Sequence, residues 1–460
     1  MRADHPLLRC GTRAMSYQPF RTLKGVVGGY IGYPIAERRE QRSVTPKVHE
    51  LERHYALPMA QRRQIALRRL SEILQLAGAK VPYYRDLFRE KQFDPASVLD
   101  DPARLEALPY LTKDIIREQG ERLYSRPLAE LRHHACKTGG STGLSCTIFY
   151  DQEAADYSSA VTRYARLRAG RRAWRSELHF ACRFPDAVVP QWPSREDFKC
   201  FANNRSNIFF DRIDDVGLEE VWRTLQLRKP YLVHAHPSTI YALACYIERK
   251  YGPSKTFEVF ESSGELLEPH MREVIGRALQ CRVIDRYGLA ELGVMAYEVD
   301  GHEAGFQIFE SEGWPENRAQ PEHSDGAREL VFTGFRNHLM PLIRYATGDL
   351  AEVVERDNGF FLTNVVGRIH DVVPINGVAH PTHHIQDMLD HRVGGIQEFQ
   401  IDLRTEPPTL RIVSEPWANQ DDTLGKLRVF WGEAFKVEFV GHDGLVRVGQ
   451  RAKFRHVVTG

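Results

Sequence analysis

The sequence predicts an α/β protein: a large N-terminal domain built on parallel strands, followed by a small, mobile α+β C-terminal domain. Three observations carry that prediction. Short apolar runs alternate with amphipathic helical patterns through the middle of the chain, as in βαβ units around a parallel sheet. After Gly326 the helical patterns stop and extended segments follow one another. Beyond Gly367 a short strand–strand–helix–strand series closes the chain.

In chain order, residues 1–45 are rich in Arg, Gly and Tyr and read as irregular. From Thr45 to Gly78, Leu51, Leu57, Ile65, Leu67, Leu70, Ile73 and Leu74 are interleaved with arginines and glutamates, which predicts an amphipathic helical face. Residues 1–80 thus form an irregular-to-helical extension. LHFACRF, YLVHAH, TFEVFESSG and CRVIDRYG read as strands, and Leu218–Leu227, Ser238–Lys250 and Pro269–Leu279 as helices. ARELVFTGF, PLIRYATGDLAEVVE and GFFLTNVVG predict a β-rich subdomain. The boundary falls at Gly367-Arg368, dividing the chain into 1–367 and 368–460. The smaller part reads as strands FQIDLR and TLRIVS, a helix from Asp421 to Phe435, strand KVEFV and a basic tail.

Composition narrows the function. A hydrophobic content of 42% in 460 residues is ample for a large core, and 62 basic residues against 61 acidic ones exclude a nucleic-acid wrapper. The seven cysteines are scattered without a C-x-x-C pair, so neither a zinc ribbon nor a disulfide framework is implied. A reducing cytoplasm fits best. Gly25 to Ala36 is the most apolar early stretch, too short to span a bilayer and broken by Gly and Pro34. A buried or interface segment is expected there, with a peripheral position on a membrane surface as the alternative.

The strongest local feature is a loop after Lys137: Thr138, Gly139, Gly140, Ser141, Thr142 and Gly143. Glycines let successive backbone N–H groups point at one anion, and hydroxyls add donors. A surface turn is the plainer reading of such a stretch. Gly139-x-Ser141-x-Gly143 also satisfies a serine-hydrolase elbow, but that elbow needs a helix after the serine, and TIFYD follows instead. No lysine follows Gly143, so a Walker A loop is excluded. Four further motifs come in order: Glu261-Ser-Ser-Gly-Glu265, Arg286-Tyr-Gly-Leu-Ala-Glu291, Arg344-Tyr-Ala-Thr-Gly-Asp-Leu350 and Val366-Gly-Arg-Ile-His-Asp371. Each alone is ordinary turn chemistry.

Their order and spacing resemble the adenylate-forming superfamily of acyl-CoA ligases, luciferases and nonribosomal adenylation domains. VPYYRDLF, LPYLTKD and MPLIRYATGDL resemble its phenylacetate-CoA ligase-like branch, including CapK-type members. The resemblance implies an adenylation domain and a small mobile lid, with ATP and Mg²⁺ as cofactors. Carboxylate plus Mg·ATP would give acyl-AMP and pyrophosphate. The acyl group would pass to coenzyme A, a carrier-protein thiol, or an amine or hydroxyl acceptor such as a sugar.

Site roles follow from the same resemblance. Thr138 to Gly143 would hold the β- and γ-phosphates. Gly264 and Glu265 would line the adenine pocket, with Tyr287 and Gly288 against the purine. Glu291 would help bind Mg²⁺, Asp349 would accept from the ribose hydroxyls, and Arg368 would reach ribose or phosphate. His370 and Asp371 would lie in the hinge, and Lys453 would complete the catalytic site. His236, Ser263, Leu289 and Ala290 would border the acid, for which an aryl group is plausible. Ala290 departs from the usual Thr or Ser, and an unpaired phosphate oxygen there costs roughly 1–3 kcal/mol. That departure keeps a degenerate nucleotide-binding scaffold in polysaccharide or membrane assembly as the alternative reading. His380, His383 and His384 form a local histidine group that lacks a nearby carboxylate or Cys ligand.

Overall fold

The computed structural model describes residues 18–137, 146–182, 194–210, 212–298, 305–319, 328–366, 372–441, 444–448, 453–454 and 456–458. The chain opens with helices α1 (Gln18–Val27) and α2 (Tyr33–Arg39), joined by a π-helical turn over Gly28–Gly32. This corrects the irregular reading of that stretch. Glycine is a poor helix former, yet here its missing side chain is the reason for the helix. A Cβ on Gly28 would collide with the Phe201 carbonyl, and Gly32 lies against the Phe201 ring. The outer face keeps Leu23, Tyr30, Ile31 and Ile35 exposed. Next come α3 (Val44–Tyr55) and α4 (Met59–Lys80), divided at Pro58, then α5 (Pro82–Glu90) and α6 (Lys113–Gln119).

A hairpin of β1 (His133–Lys137) and β2 (Thr147–Asp151) leads into α7 (Gln152–Arg168). Asp151 caps α7 by accepting from Ala154 N at 2.9 Å. The α/β core follows: β3 (Glu177–Cys182), α8 (Arg195–Ala202), β4 (Arg205–Phe210), α9 (Asp215–Arg228), β5 (Leu232–Ala235), α10 (Pro237–Tyr251), β6 (Val259–Ser262), α11 (Pro269–Leu279) and β7 (Arg282–Leu289). Strands β8 (Gly293–Tyr297), β9 (Phe306–Ile308), β10 (Gly313–Ala319), β11 (Arg328–Gly334), β12 (Tyr345–Arg356) and β13 (Gly359–Val366) complete it.

All but the hairpin join one 11-stranded sheet, ordered β10-β11-β12-β13-β9-β8-β7-β6-β5-β3-β4. The β-rich stretch after Gly326 is therefore the antiparallel half of the sheet whose other half is parallel. Strand β7 carries the switch. Its first half pairs parallel with β6 up to Ser262↔Asp285, and its second half pairs antiparallel with β8 from Arg286↔Tyr297. Ligands in such sheets gather where strand order reverses beyond the carboxyl ends.

Residues 373–457 hold an apolar core of their own, with Ile385, Phe399, Ile401, Ile412 and Trp431 at its centre. It comprises the hairpin β14 (Val372–Ile375) and β15 (Val378–Pro381), α12 (Thr382–Met388), a π-helical turn Leu389–Val393, β16 (Ile396–Asp402), β17 (Thr409–Ser414), α13 (Gln420–Trp431), β18 (Lys436–Phe439) and the short strands β19 (Arg447–Val448), β20 (Lys453–Phe454) and β21 (Val457–Val458). The 367/368 boundary expected from the sequence lies outside the described residues. No helix among the described residues is long and apolar enough to cross a membrane.

Candidate active site at the switch in the central sheet

Two backbone irregularities aim the central side chains. In β7 the register slips between Tyr287 and Gly288, a bulge that re-aims the strand end. A Cβ on Gly288 would strike the Gly293 carbonyl, and Gly293 turns back at φ +71°. The β7–β8 turn thus presents Leu289, Ala290 and Glu291 at the sheet end. In β12 the register slips opposite Glu329/Val331. Gly348 takes φ +80° and donates its N–H to Glu329 Oε1 at 2.9 Å. Thr347 donates to the Leu330 carbonyl at 2.7 Å. This distortion turns Asp349 toward β7, where its Oδ2 accepts from the Tyr287 hydroxyl at 2.9 Å.

These residues border a cavity of about 900 Å³, which also takes in His236, Gly264, Glu265, Leu289, Ala290 and Glu291. Burial and the adjacent Asp349 push the Tyr287 hydroxyl well above its ordinary range, so it stays a donor. Glu291 Oε1 accepts from the Tyr345 hydroxyl at 2.7 Å. Glu265 does more than line the cavity: its Oε2 accepts from Ser238 N at 3.1 Å, near the start of α10. Gly264 (φ +88°) is pressed against His236, whose ring would meet any Cβ there. Ser263 is not among the lining residues of this cavity; its hydroxyl accepts from Arg286 Nη2 at 2.9 Å.

Several expected site residues fall outside the described residues: Thr138, Gly139, Gly140, Ser141, Thr142, Gly143, Arg368, His370 and Asp371. Lys453 is described only as backbone, in β20. The segment containing Ser141 runs between two antiparallel strands, and α7 begins only at Gln152. Among the described residues that flank it, strand β2 comes before the next helix, whereas a nucleophile elbow leads directly into one. His380 lies in β15 and His383 and His384 in α12, and no cluster of three metal-ligating residues occurs among the described residues.

Sequence reasoning missed several contributors. Asp285 lines the cavity at the switch itself. Burial and the neighbouring Glu298 carboxylate push it up to about 7. Arg272 is committed to Glu298, donating through Nη2 to both oxygens at 2.8 Å. Gln386 and Asp387 reach the cavity from α12, and burial raises Asp387 to about 6. Lys137 bridges the two parts, donating to the Ile396 carbonyl and lying 3.5 Å from Asp390 Oδ1. The strand reading of CRVIDRYG was the one available hint of Asp285; nothing local pointed to the others.

The fold is the one seen in solved acyl-CoA ligases of the adenylate-forming class. Solved structures of 2-hydroxyisobutyryl-CoA ligase, one in a postadenylation state with an acyl-AMP, match 89% of this chain and 92% of theirs at a TM-score of 0.53 and 20% identity. Within that class the chain is similar to the phenylacetate-CoA ligase branch. It is 25% identical over 350 residues to phenylacetate-coenzyme A ligase of Aromatoleum evansii, covering 73% of this chain and 76% of the relative. It is 22% identical over 292 residues to protein CapK of Staphylococcus aureus, covering 62% of each. No family model matches the chain.

Proposed function

We propose that this chain activates a carboxylic acid with ATP, releasing pyrophosphate, and passes the acyl group from acyl-AMP to coenzyme A or a carrier thiol. The observation that supports it is the convergence of Glu265, Tyr287–Glu291 and Asp349 on one cavity, joined by the Tyr287–Asp349 bond. These residues come from sequence positions far apart, which a set of unrelated turns does not explain.

In this reading a carboxylate oxygen attacks the α-phosphorus, a P–O bond forms, and the α–β anhydride bond breaks with pyrophosphate leaving. Attacker and phosphate are both anions, so positioning and charge stabilisation supply most of the acceleration. Asp349 would accept from the ribose hydroxyls, and Tyr287 and Gly288 would border the purine. Glu291 is a hard oxygen donor at the cavity edge and fits Mg²⁺ held jointly with phosphate oxygens. Mg²⁺ would neutralise phosphate charge. The loop Thr138–Gly143 and Arg368 would supply the remaining phosphate contacts, Lys453 would stabilise charge only as the α-phosphate reacts, and 368–371 would be the hinge.

ATP–pyrophosphate exchange over a panel of acids tests this. Exchange with any acid, lost in Glu291→Ala, supports it; nucleotide binding without exchange for any acid overturns it. Ala290 favours a second reading, a nucleotide-binding scaffold, because its side chain lacks the hydroxyl that Thr or Ser would supply at this position.

A further inference from the structure

We infer that the acid activated here carries a second anionic group, a carboxylate or a phosphate, seated in a basic cavity behind the reacting carboxylate. This rests on the adenylation reading above. A cavity of about 430 Å³ lies between α2, α7 and the ends of β3 and β5. Arg286 borders both it and the 900 Å³ cavity. A third space of about 410 Å³ shares Ala290 and Glu291 with the 900 Å³ cavity and Arg42, Ser159 and Lys199 with the 430 Å³ one. In this inference an acid reacting beside Ala290 extends past Arg42 and Ser159 toward the arginines.

Among the described residues, seven Arg and Lys side chains line the 430 Å³ cavity against four Glu. Buried carboxylates satisfy part of that charge. Arg166 pairs with Glu261 at 2.8 Å and Glu177 at 3.2 Å, and Arg42 with Asp156 at 2.6 Å. Arg205 pairs with Glu196 at 2.7 Å. Glu37 is committed to the start of α3, accepting from Thr45 N and Thr45 Oγ1 at 2.7 Å.

Arg286 lies 3.5 Å from Glu261 Oε1 and Lys199 3.9 Å from Glu40 Oε1, which leaves one guanidinium here, Arg163, without a carboxylate partner among the described residues. Arg163 lies 3.8 Å over the Tyr33 ring, and its Nη1 is buried with no acceptor. Arg171 Nε is buried without one as well, 3.3 Å from Glu177 Oε2 but poorly aligned. Register aligns His179 with His234 on neighbouring strands. Burial and Arg166 hold His179 low, and burial and Arg286 hold His234 at about 3, so neither adds charge and both remain hydrogen-bonding partners. An apolar tail here would bury guanidinium donors unpaired; a second anion would satisfy them. This cavity argues against the aryl acid considered from the sequence.

The test uses the full chain and two measurements. ATP–pyrophosphate exchange is compared for four- to six-carbon dicarboxylates, phosphorylated hydroxy acids, phenylacetate and hexanoate. Calorimetry then measures binding of the same acids with AMP present. A dianionic acid is expected to exceed phenylacetate and hexanoate by at least about 100-fold in kcat/KM. Arg163→Met should raise its KM by roughly 10- to 100-fold, the range for a lost charged hydrogen bond, with Arg163→Lys between. Which dianionic set responds identifies carboxylate or phosphate. Preference for phenylacetate or hexanoate overturns the inference and leaves adenylation standing. Dianion binding weakened by Arg163→Met, without exchange, overturns adenylation alone. No dianion binding overturns the inference.

Discussion

Asp285 offers the sharpest test of the physical reading. The residue is 7% exposed, its Oδ1 accepts from the Arg286 N–H at 2.9 Å, and Arg272 is spent on Glu298. Burial first, and Glu298 second, push it from 3.8 to about 7. Between those values the folded chain binds the proton and the unfolded chain does not. Stability therefore falls as pH rises from about 4 to about 7 and levels off beyond. At 1.36 kcal/mol per pH unit, the ceiling is roughly 4 kcal/mol. Asp285→Asn keeps the shape and removes the charge. Denaturant unfolding of both proteins from pH 5 to pH 8 reads the difference, because the titration of other groups cancels. The variant's advantage over wild type should widen by roughly 2–3 kcal/mol between pH 5 and pH 8. A difference that stays flat across that range refutes the reasoning.

The other predictions concern chemistry and packing. Glu291→Ala should lower the exchange rate by roughly 100-fold or more, while Tyr345→Phe, which removes only the donor to Glu291, should lower it about tenfold; equal effects would argue that Tyr345 acts on its own. Asp349→Ala should raise the KM for ATP more than Tyr287→Phe does, since the phenol bond only orients the carboxylate; initial-rate kinetics would show the order. Gly28→Ala drives a methyl into the Phe201 carbonyl and should cost roughly 1–3 kcal/mol, read as faster proteolysis within residues 18–39. Lys453→Ala should slow exchange without changing ATP affinity, checked by comparing exchange with calorimetry.

Much of this was legible from local pattern. The helix expected at Pro269–Leu279 ends at those residues, and those expected at Leu218–Leu227 and Ser238–Lys250 extend by one to three residues. Their apolar periodicity and capping are properties of short windows. The motifs around Tyr287, Glu291 and Asp349 could be placed for the same reason: glycine at positions of positive φ or close approach leaves a local signature. Residues 18–39 failed that logic, because glycines lower helix propensity in isolation and the surface of α8 that rewards them is some 170 residues away.

What the amino-acid sequence determined by itself was the series of elements, the motif order and hence the resemblance to one superfamily. Only the tertiary structure decided that β7 changes partner at Asp285, leaving a carboxyl buried beside Glu298. It alone brought Arg166 to Glu261 across 95 positions and set Arg163, Arg171, His179 and His234 around one space. The reason is physical. Propensity and periodicity act through neighbours within a few residues, whereas burial and charge balance depend on strand register, which long-range pairing sets.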